Sequence, residues 1–157
     1  MIESSYIAVG CKPWSRKVYD ERLSQLAGHW HYFGSPEELT LSRVESIRPR
    51  YLFFLHWSIL VPEEIVERFE CICFHMADLP YGRGGSPLQN LICAGHPSTV
   101  LSSFRMTREL DAGPIYFKEA LSLDGSAEEI YCRASELAAE MVHRIITENS
   151  VFIDIAS

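Results

Sequence analysis

Tyr51-Leu52-Phe53-Phe54-Leu55 is an unbroken apolar run, preceded by Pro49 and followed by His56-Trp57-Ser58. A strand with one wet face alternates apolar and polar residues, so a continuous run suits an inner strand covered on both faces. Upstream, Tyr6-Ile7-Ala8-Val9-Gly10 reads as another short buried strand. Pro13 then starts a helix carrying Trp14, Val18, Leu23 and Leu26, with Gly28 just beyond it. His29 to Phe33 alternates with aromatics as a second strand. Ser35-Pro36-Glu37-Glu38 is a helix start with acidic residues where the macrodipole favours them, and that helix runs to Ile47. Downstream of the apolar run, Pro62 opens a helix from Glu63 to Phe69, and Cys71 to His75 is the next strand. Strand and helix thus alternate through the first half, which predicts right-handed crossovers and a parallel sheet with helices on its faces.

The second half changes character. Ser86 to Ile92 reads as helical and Gly95-His96-Pro97 as a turn. Thr99 to Met106 and Ile115 to Leu121 alternate as strands, joined through Asp111-Ala112-Gly113. A helix follows from Ala127 to Thr147, with a capping box at Ser126 and Glu129. Its stripe of Ile130, Ala134, Leu137, Met141 and Ile145 marks it as scaffold. Val151-Phe152-Ile153 can add an edge strand. No Gly-x-Gly-x-x-Gly follows the first strand, so a dinucleotide site has no support.

A chain of 157 residues, 47% hydrophobic and 22% charged, suits a single domain over residues 1–157. No apolar run approaches a membrane span and no signal pattern opens the chain, so a cytoplasmic location is expected. The 5 cysteines then read as free thiols packed as small hydrophobes. Cys71, Cys73 and His75 alternate onto one face of a strand but lack an obvious fourth ligand, so no metal is expected. The net charge of −7 and pI of about 5.3 argue against a nucleic-acid partner and for a small-molecule substrate.

Ligands of parallel sheets gather at the carboxyl ends of the strands, where His56 and His75 both lie. A lone histidine at a strand end is more often structural than catalytic. His75, however, is followed by Pro80-Tyr81-Gly82-Arg83-Gly84-Gly85-Ser86-Pro87, whose glycines let backbone approach a ligand closely. His75, Leu79, Pro80 and Gly82-Arg83-Gly84 together resemble the Asn-x-His-Pro-Ser-x-Leu-Pro-x-x-x-Gly element of the formyltransferases that act with 10-formyltetrahydrofolate. Leu110-Asp111-Ala112-Gly113-Pro114 is similar to that family's later Leu-Asp-x-Gly-Pro element. Ser58-Ile59-Leu60-Val61-Pro62 resembles its strand-end segment facing the pterin ring. The likeness covers roughly residues 50 to 147, in order.

The resemblance implies an α/β, Rossmann-like, mostly parallel sheet with helices on both faces, then antiparallel strand additions and a C-terminal helix. It implies direct attack of a primary amine on the formyl carbon of 10-formyltetrahydrofolate. His75 would stabilise the oxyanion and Asp111 would hold His75 or a water and relay protons. Trp57, Ser58, Leu60 and Val61 would meet the cofactor on one side, with Met106, Arg108 and Asp111 closing the other. Tyr81, Gly82, Arg83 and Gly84 would contact the acceptor.

Cys73 stands where the family has asparagine, and a thiol is a weak donor for the formyl oxygen. Three readings are open: a donor borrowed from His56, Ser58 or a backbone amide; chemistry carried by His75 and Asp111 alone; or a non-catalytic folate- or nucleotide-binding protein. Met76-Ala77 in place of Pro-Ser is a milder departure. The acidic balance and short chain point to a sugar-nucleotide N-formyltransferase, most similar to the compact pseudaminic-acid type. A glycinamide ribonucleotide or other small-amine formyltransferase is the alternative. A homodimer through the last helix or an edge strand is compatible with this pattern.

Overall fold

The computed structural model describes residues 3–79, 95–109 and 111–148. β3 (Tyr51–Phe54) is buried along its whole length, as its unbroken apolar run requires. It lies between β1 (Ser5–Val9) and β4 (Cys71–His75), and β2 (His29–Phe33) forms one edge of the sheet. These pairings are all parallel. β5 (Ser98–Arg105) and β6 (Ile115–Ser122) extend the other side antiparallel, completing the order β2-β1-β3-β4-β5-β6. The expected Rossmann-like sheet with antiparallel additions is therefore present.

Two clusters cover the two faces. Strand alternation sends Tyr6, Ala8, Phe53, Leu55 and Ile72 to the face covered by α1 (Pro13–Glu21) and α4 (Ala127–Glu148). Ile7, Val9, Leu52, Phe54 and Cys71 face α2 (Leu41–Ile47) and α3 (Glu63–Arg68), meeting Val44 and Ile65. The capping box of α4 forms as read: Glu129 N–H donates to Ser126 Oγ at 3.2 Å, and Ser126 N–H to Glu129 Oε1 at 3.0 Å. Of the expected stripe Ile130, Ala134, Met141 and Ile145 are buried, and Leu137 is half-buried.

Two helices differ from expectation. Ser35 to Ile47 is a 3-10 turn, Pro36–Glu38, followed by the separate α2. Thr40 is extended, and its Oγ1 accepts the Arg43 N–H at 3.3 Å, so the threonine caps a new start. The first helix likewise ends at Glu21, and Leu23 is buried from a short 3-10 turn, Leu23–Gln25. The predicted helix over 86–92 and strand over 151–153 lie outside the described residues.

Candidate active site

Registry brings the carboxyl ends of the parallel strands together, with Val9 beside Phe54 and Phe54 beside Cys73. His75 ends β4, opposite Ser102 of β5, with its ring edge-on to Phe104 at 6.4 Å. Asp111, 36 residues later in the sequence, returns to it: Nδ1 of His75 lies 3.8 Å from Asp111 Oδ2, and the two side chains are only 11% and 12% exposed. The turn that achieves this is tight. Asp111 adopts a left-handed backbone (φ 51), a conformation aspartate tolerates better than most residues. At Gly113 a Cβ would sit 1.7 Å from the Arg105 carbonyl oxygen, so the chain can pass there only as glycine.

The segment leaving His75 is held to the antiparallel strands. Ser102 Oγ donates to the Ala77 carbonyl at 2.9 Å, and Lys118 Nζ donates to Asp78 Oδ1 at 2.6 Å and to the Leu79 carbonyl at 2.8 Å. β5 and β6 thus do more than widen the sheet, because they anchor the start of the loop. Tyr81, Gly82, Arg83 and Gly84 lie outside the described residues.

Cys73 packs between the α2/α3-side cluster and a small one made of Leu79, Phe104 and Ile115. Burial first, and the Asp111 carboxylate second, push its thiol up to about 12, so it is neutral at physiological pH. A neutral thiol in this place is no nucleophile. Burial raises Cys71 to about 12 as well, and its Sγ lies 3.8 Å from the Ile65 carbonyl. Among the described residues no group of three His, Cys, Asp or Glu side chains is placed to hold a metal ion.

The residues expected at the cofactor form an apolar wall. Trp57, Val61 and Met106 pack against the α2/α3-side cluster, and Met106 also touches the cluster beside Cys73. Ser58 is exposed, Ile59 is 41% exposed and Leu60 is 91% exposed; the last two are the large exposed hydrophobics among the described residues. Arg108 is held by α3, with Nε 3.0 Å from Glu63 and a second contact to Glu67. It ties the β5–β6 loop to the helix after the Leu60 segment.

A cavity of about 350 Å³ opens beside His75, and Trp57 and Ser58 of the expected cofactor segment line it too. Phe74, Met76, Leu101, Ala134 and Ala138 form its apolar floor, and Lys12, Trp14, His56 and Tyr131 its walls. Trp14 stacks on Tyr131 at 4.9 Å with an 11° interplanar angle. Sequence reasoning treated α4 as scaffold and missed this wall. The legible signal was Ser135, a hydroxyl that is 3% exposed next to the apolar stripe.

Ser135 explains His56. Its Oγ lies 2.9 Å from the Tyr131 carbonyl and 2.7 Å from His56 Nε2, so it pairs the imidazole with the helix, the direction of that bond following the tautomer. His56 is in the left-handed region (φ 51), which turns its ring back from the end of β3. Its Nε2 is paired with α4, which removes that nitrogen as a substitute for the missing amide. Burial, reinforced by Lys12, lowers its pKa to about 4. An unfolded-chain histidine binds a proton near pH 6.5, so between about 6.5 and 4 the unfolded state binds more protons and stability falls as pH is lowered. Across that window the loss is about 3 kcal/mol. His56→Asn, which tolerates the left-handed backbone, is expected to flatten the acid side of the stability profile in urea unfolding; an equally steep decline contradicts the assignment.

No family model matches the chain. It is 30% identical over 115 residues to a methionyl-tRNA formyltransferase of Methylococcus capsulatus, matching 71% of this chain and 37% of that protein. The chain thus spans little more than a third of the length of the curated relatives it matches. The solved methionyl-tRNA formyltransferase of Clostridium thermocellum superposes with a TM-score of 0.87 at 38% identity, over 98% of this chain and 70% of that one. The formyltransferase PseJ of Anoxybacillus kamchatkensis, solved with UDP-4,6-dideoxy-4-formamido-L-AltNAc and tetrahydrofolate, shares the fold with a TM-score of 0.72 at 16% identity, over 96% and 80%. The expected pseudaminic-type similarity is thus weaker than the methionyl-tRNA one. With a likeness this high over most of a solved relative, the chain belongs to the formyltransferase family.

Proposed function

We propose that this chain transfers a formyl group from 10-formyltetrahydrofolate to the primary amine of a small molecule, an amino sugar nucleotide of the UDP-4-amino-4,6-dideoxy type. The observation that carries this reading is the placement of His75 beside Asp111 at the carboxyl edge of the sheet, on a cavity of about 350 Å³ that Trp57 and Ser58 also line, next to the exposed Ile59 and Leu60. Ile59 and Leu60 leave hydrocarbon in water, and a flat heteroaromatic ring laid on them would cover it. The residues present therefore fit a pterin. Tetrahydrofolate in the PseJ structure supports the same donor.

The amine nitrogen bonds to the formyl carbon while the bond from that carbon to the donor nitrogen breaks. The amine loses a proton and the departing nitrogen gains one, so the exchange balances. In this reading Asp111, 3.8 Å from Nδ1 of His75, orients the imidazole, and the imidazole stabilises the oxygen that turns negative. The neutral Cys73 thiol supplies packing and at most a weak donor.

A second reading, transfer to aminoacyl-tRNA, is favoured by the names of the stronger relatives. Against it stands the net charge of −7, since phosphate backbones are held by clustered Lys and Arg. Incubation with 10-formyltetrahydrofolate and either a UDP-4-amino-4,6-dideoxyhexose or methionyl-tRNA separates the two. Formylated sugar nucleotide by mass spectrometry supports the first reading, and formyl-methionyl-tRNA alone supports the second.

A further inference from the structure

We propose that Ser102 and Lys118 are positioning residues for His75: they hold the chain just beyond it in the path that keeps its imidazole beside Asp111. This rests on the formyl-transfer reading for its effect on rate, but the contacts that carry it involve no substrate.

The three residues form one row across the sheet. His75 on β4 is opposite Ser102 on β5, and Ser102 is opposite Lys118 on β6. Opposed residues of antiparallel strands share a face, so all three side chains rise on the side where Leu79 packs with Phe104 and Ile115. Ser102 has no exposure, and a hydroxyl so buried needs a partner; its proton goes to the Ala77 carbonyl at 2.9 Å. The Lys118 ammonium donates to Asp78 Oδ1 at 2.6 Å and to the Leu79 carbonyl at 2.8 Å. Ala77, Asp78 and Leu79 are therefore tied one after another to the two strands beside β4.

The sequence gives a reason for this anchoring. Met76-Ala77 stands where the pattern quoted above has proline and serine. Proline would fix its own φ, whereas methionine leaves it free. Met76 uses the position for packing instead, between the α1/α4-side cluster and a smaller one made of Leu121, Leu123, Ile130 and Ala134. The path of the backbone is then set from outside, by the hydroxyl of Ser102 and the ammonium of Lys118. Asp111 reaches the same histidine from a separate turn, so the 3.8 Å between them holds only while both segments are fixed. Reacting groups need to be held to about 0.5 Å by such outer contacts, and a misplacement of about 1 Å can cost on the order of a hundredfold in rate.

The test uses the full chain, with a UDP-4-amino-4,6-dideoxyhexose and methionyl-tRNA as acceptors. Ser102→Ala, Lys118→Met and Lys118→Arg are measured alone and combined with His75→Ala. Ser102→Ala and Lys118→Met should each lower kcat and kcat/KM together, by about tenfold, and Lys118→Arg should recover most of the rate. On the His75→Ala background neither should cost further rate, because a residue acting through His75 has nothing left to position. Nitrogen-15 spectra of the histidine imidazoles, recorded without substrate, should show the His75 signal displaced in Ser102→Ala and Lys118→Met, and near its wild-type place in Lys118→Arg. A His75 signal unmoved in both variants, or a rate loss that adds in full to that of His75→Ala, overturns the proposal. A displaced His75 signal with no transfer by wild type to either acceptor keeps the positioning role and overturns the formyl-transfer reading instead. Circular dichroism identifies any variant that fails to fold. The Lys118 side chain is 33% exposed, so Lys118→Met leaves no buried gap and decides where Ser102→Ala does not fold.

Discussion

His75→Ala is expected to lower kcat for formyl transfer on the order of 10²- to 10³-fold while leaving the fold intact. The magnitude follows from what one preorganised donor contributes when it faces charge that develops only in the transition state. His75 sits at the end of a central strand with little exposure, so its position is set before substrate arrives and the side chain needs no reorganisation. Asp111→Ala should produce a loss of similar size by another route. In the proposed role the carboxylate 3.8 Å from Nδ1 would set the tautomer and orientation of the ring, and without it the imidazole would be free to turn or present the wrong nitrogen. Because the two act as a unit, the double variant should be little slower than either single one. Stopped-flow or discontinuous transfer assays at saturating amine measure these rates. If either single variant stays within a few-fold of wild type, the roles given to these residues are wrong.

Cys73→Asn is the second large effect, and it runs in the opposite direction. The thiol is neutral and packed beside Phe104 and Leu79, within the influence of the Asp111 carboxylate. An asparagine of similar size adds an amide donor that can reach the formyl oxygen, and a well-placed donor of this kind is worth about 3 kcal/mol. The rate should therefore rise, on the order of tenfold to a hundredfold, the lower figure applying where the amide lies off the ideal line. The Nε2 of His56 is not available to have filled this role already, since it is paired with Ser135. An unchanged or slower rate in a folded Cys73→Asn protein would show that another group, such as a backbone amide, already serves the oxygen.

Much of the architecture was legible because it rests on local rules. The unbroken Tyr51–Leu55 run declared an inner strand, Pro13 and Pro62 marked helix starts, and Ser126 with Glu129 capped the last helix where expected. The helix over 35–47 misread for an equally local reason: Thr40 caps a fresh start, and an N-cap inside an apolar-periodic stretch looks like any polar position. His75, Cys73 and Asp111 were legible through the resemblance of their motifs, and the structure brings His75 and Asp111 within 3.8 Å of each other across a turn where Gly113 has no room for a Cβ. The cavity was not found. Its walls come from the β1–α1 connection, the end of β3 and α4, and no sequence spacing announces that Trp14 will stack on a tyrosine 117 residues away. His56 drew attention by its place at a strand end, but its pairing with α4 became visible only with Ser135 and Tyr131 in view.

The most direct test of formyl transfer is a time course of tetrahydrofolate release from 10-formyltetrahydrofolate, followed together with the mass of the amine product. Release that requires the amine, matches formylated product one for one and disappears in His75→Ala is the predicted result. Tight binding of the folate with no formylated amine, or transfer that survives His75→Ala, would contradict it.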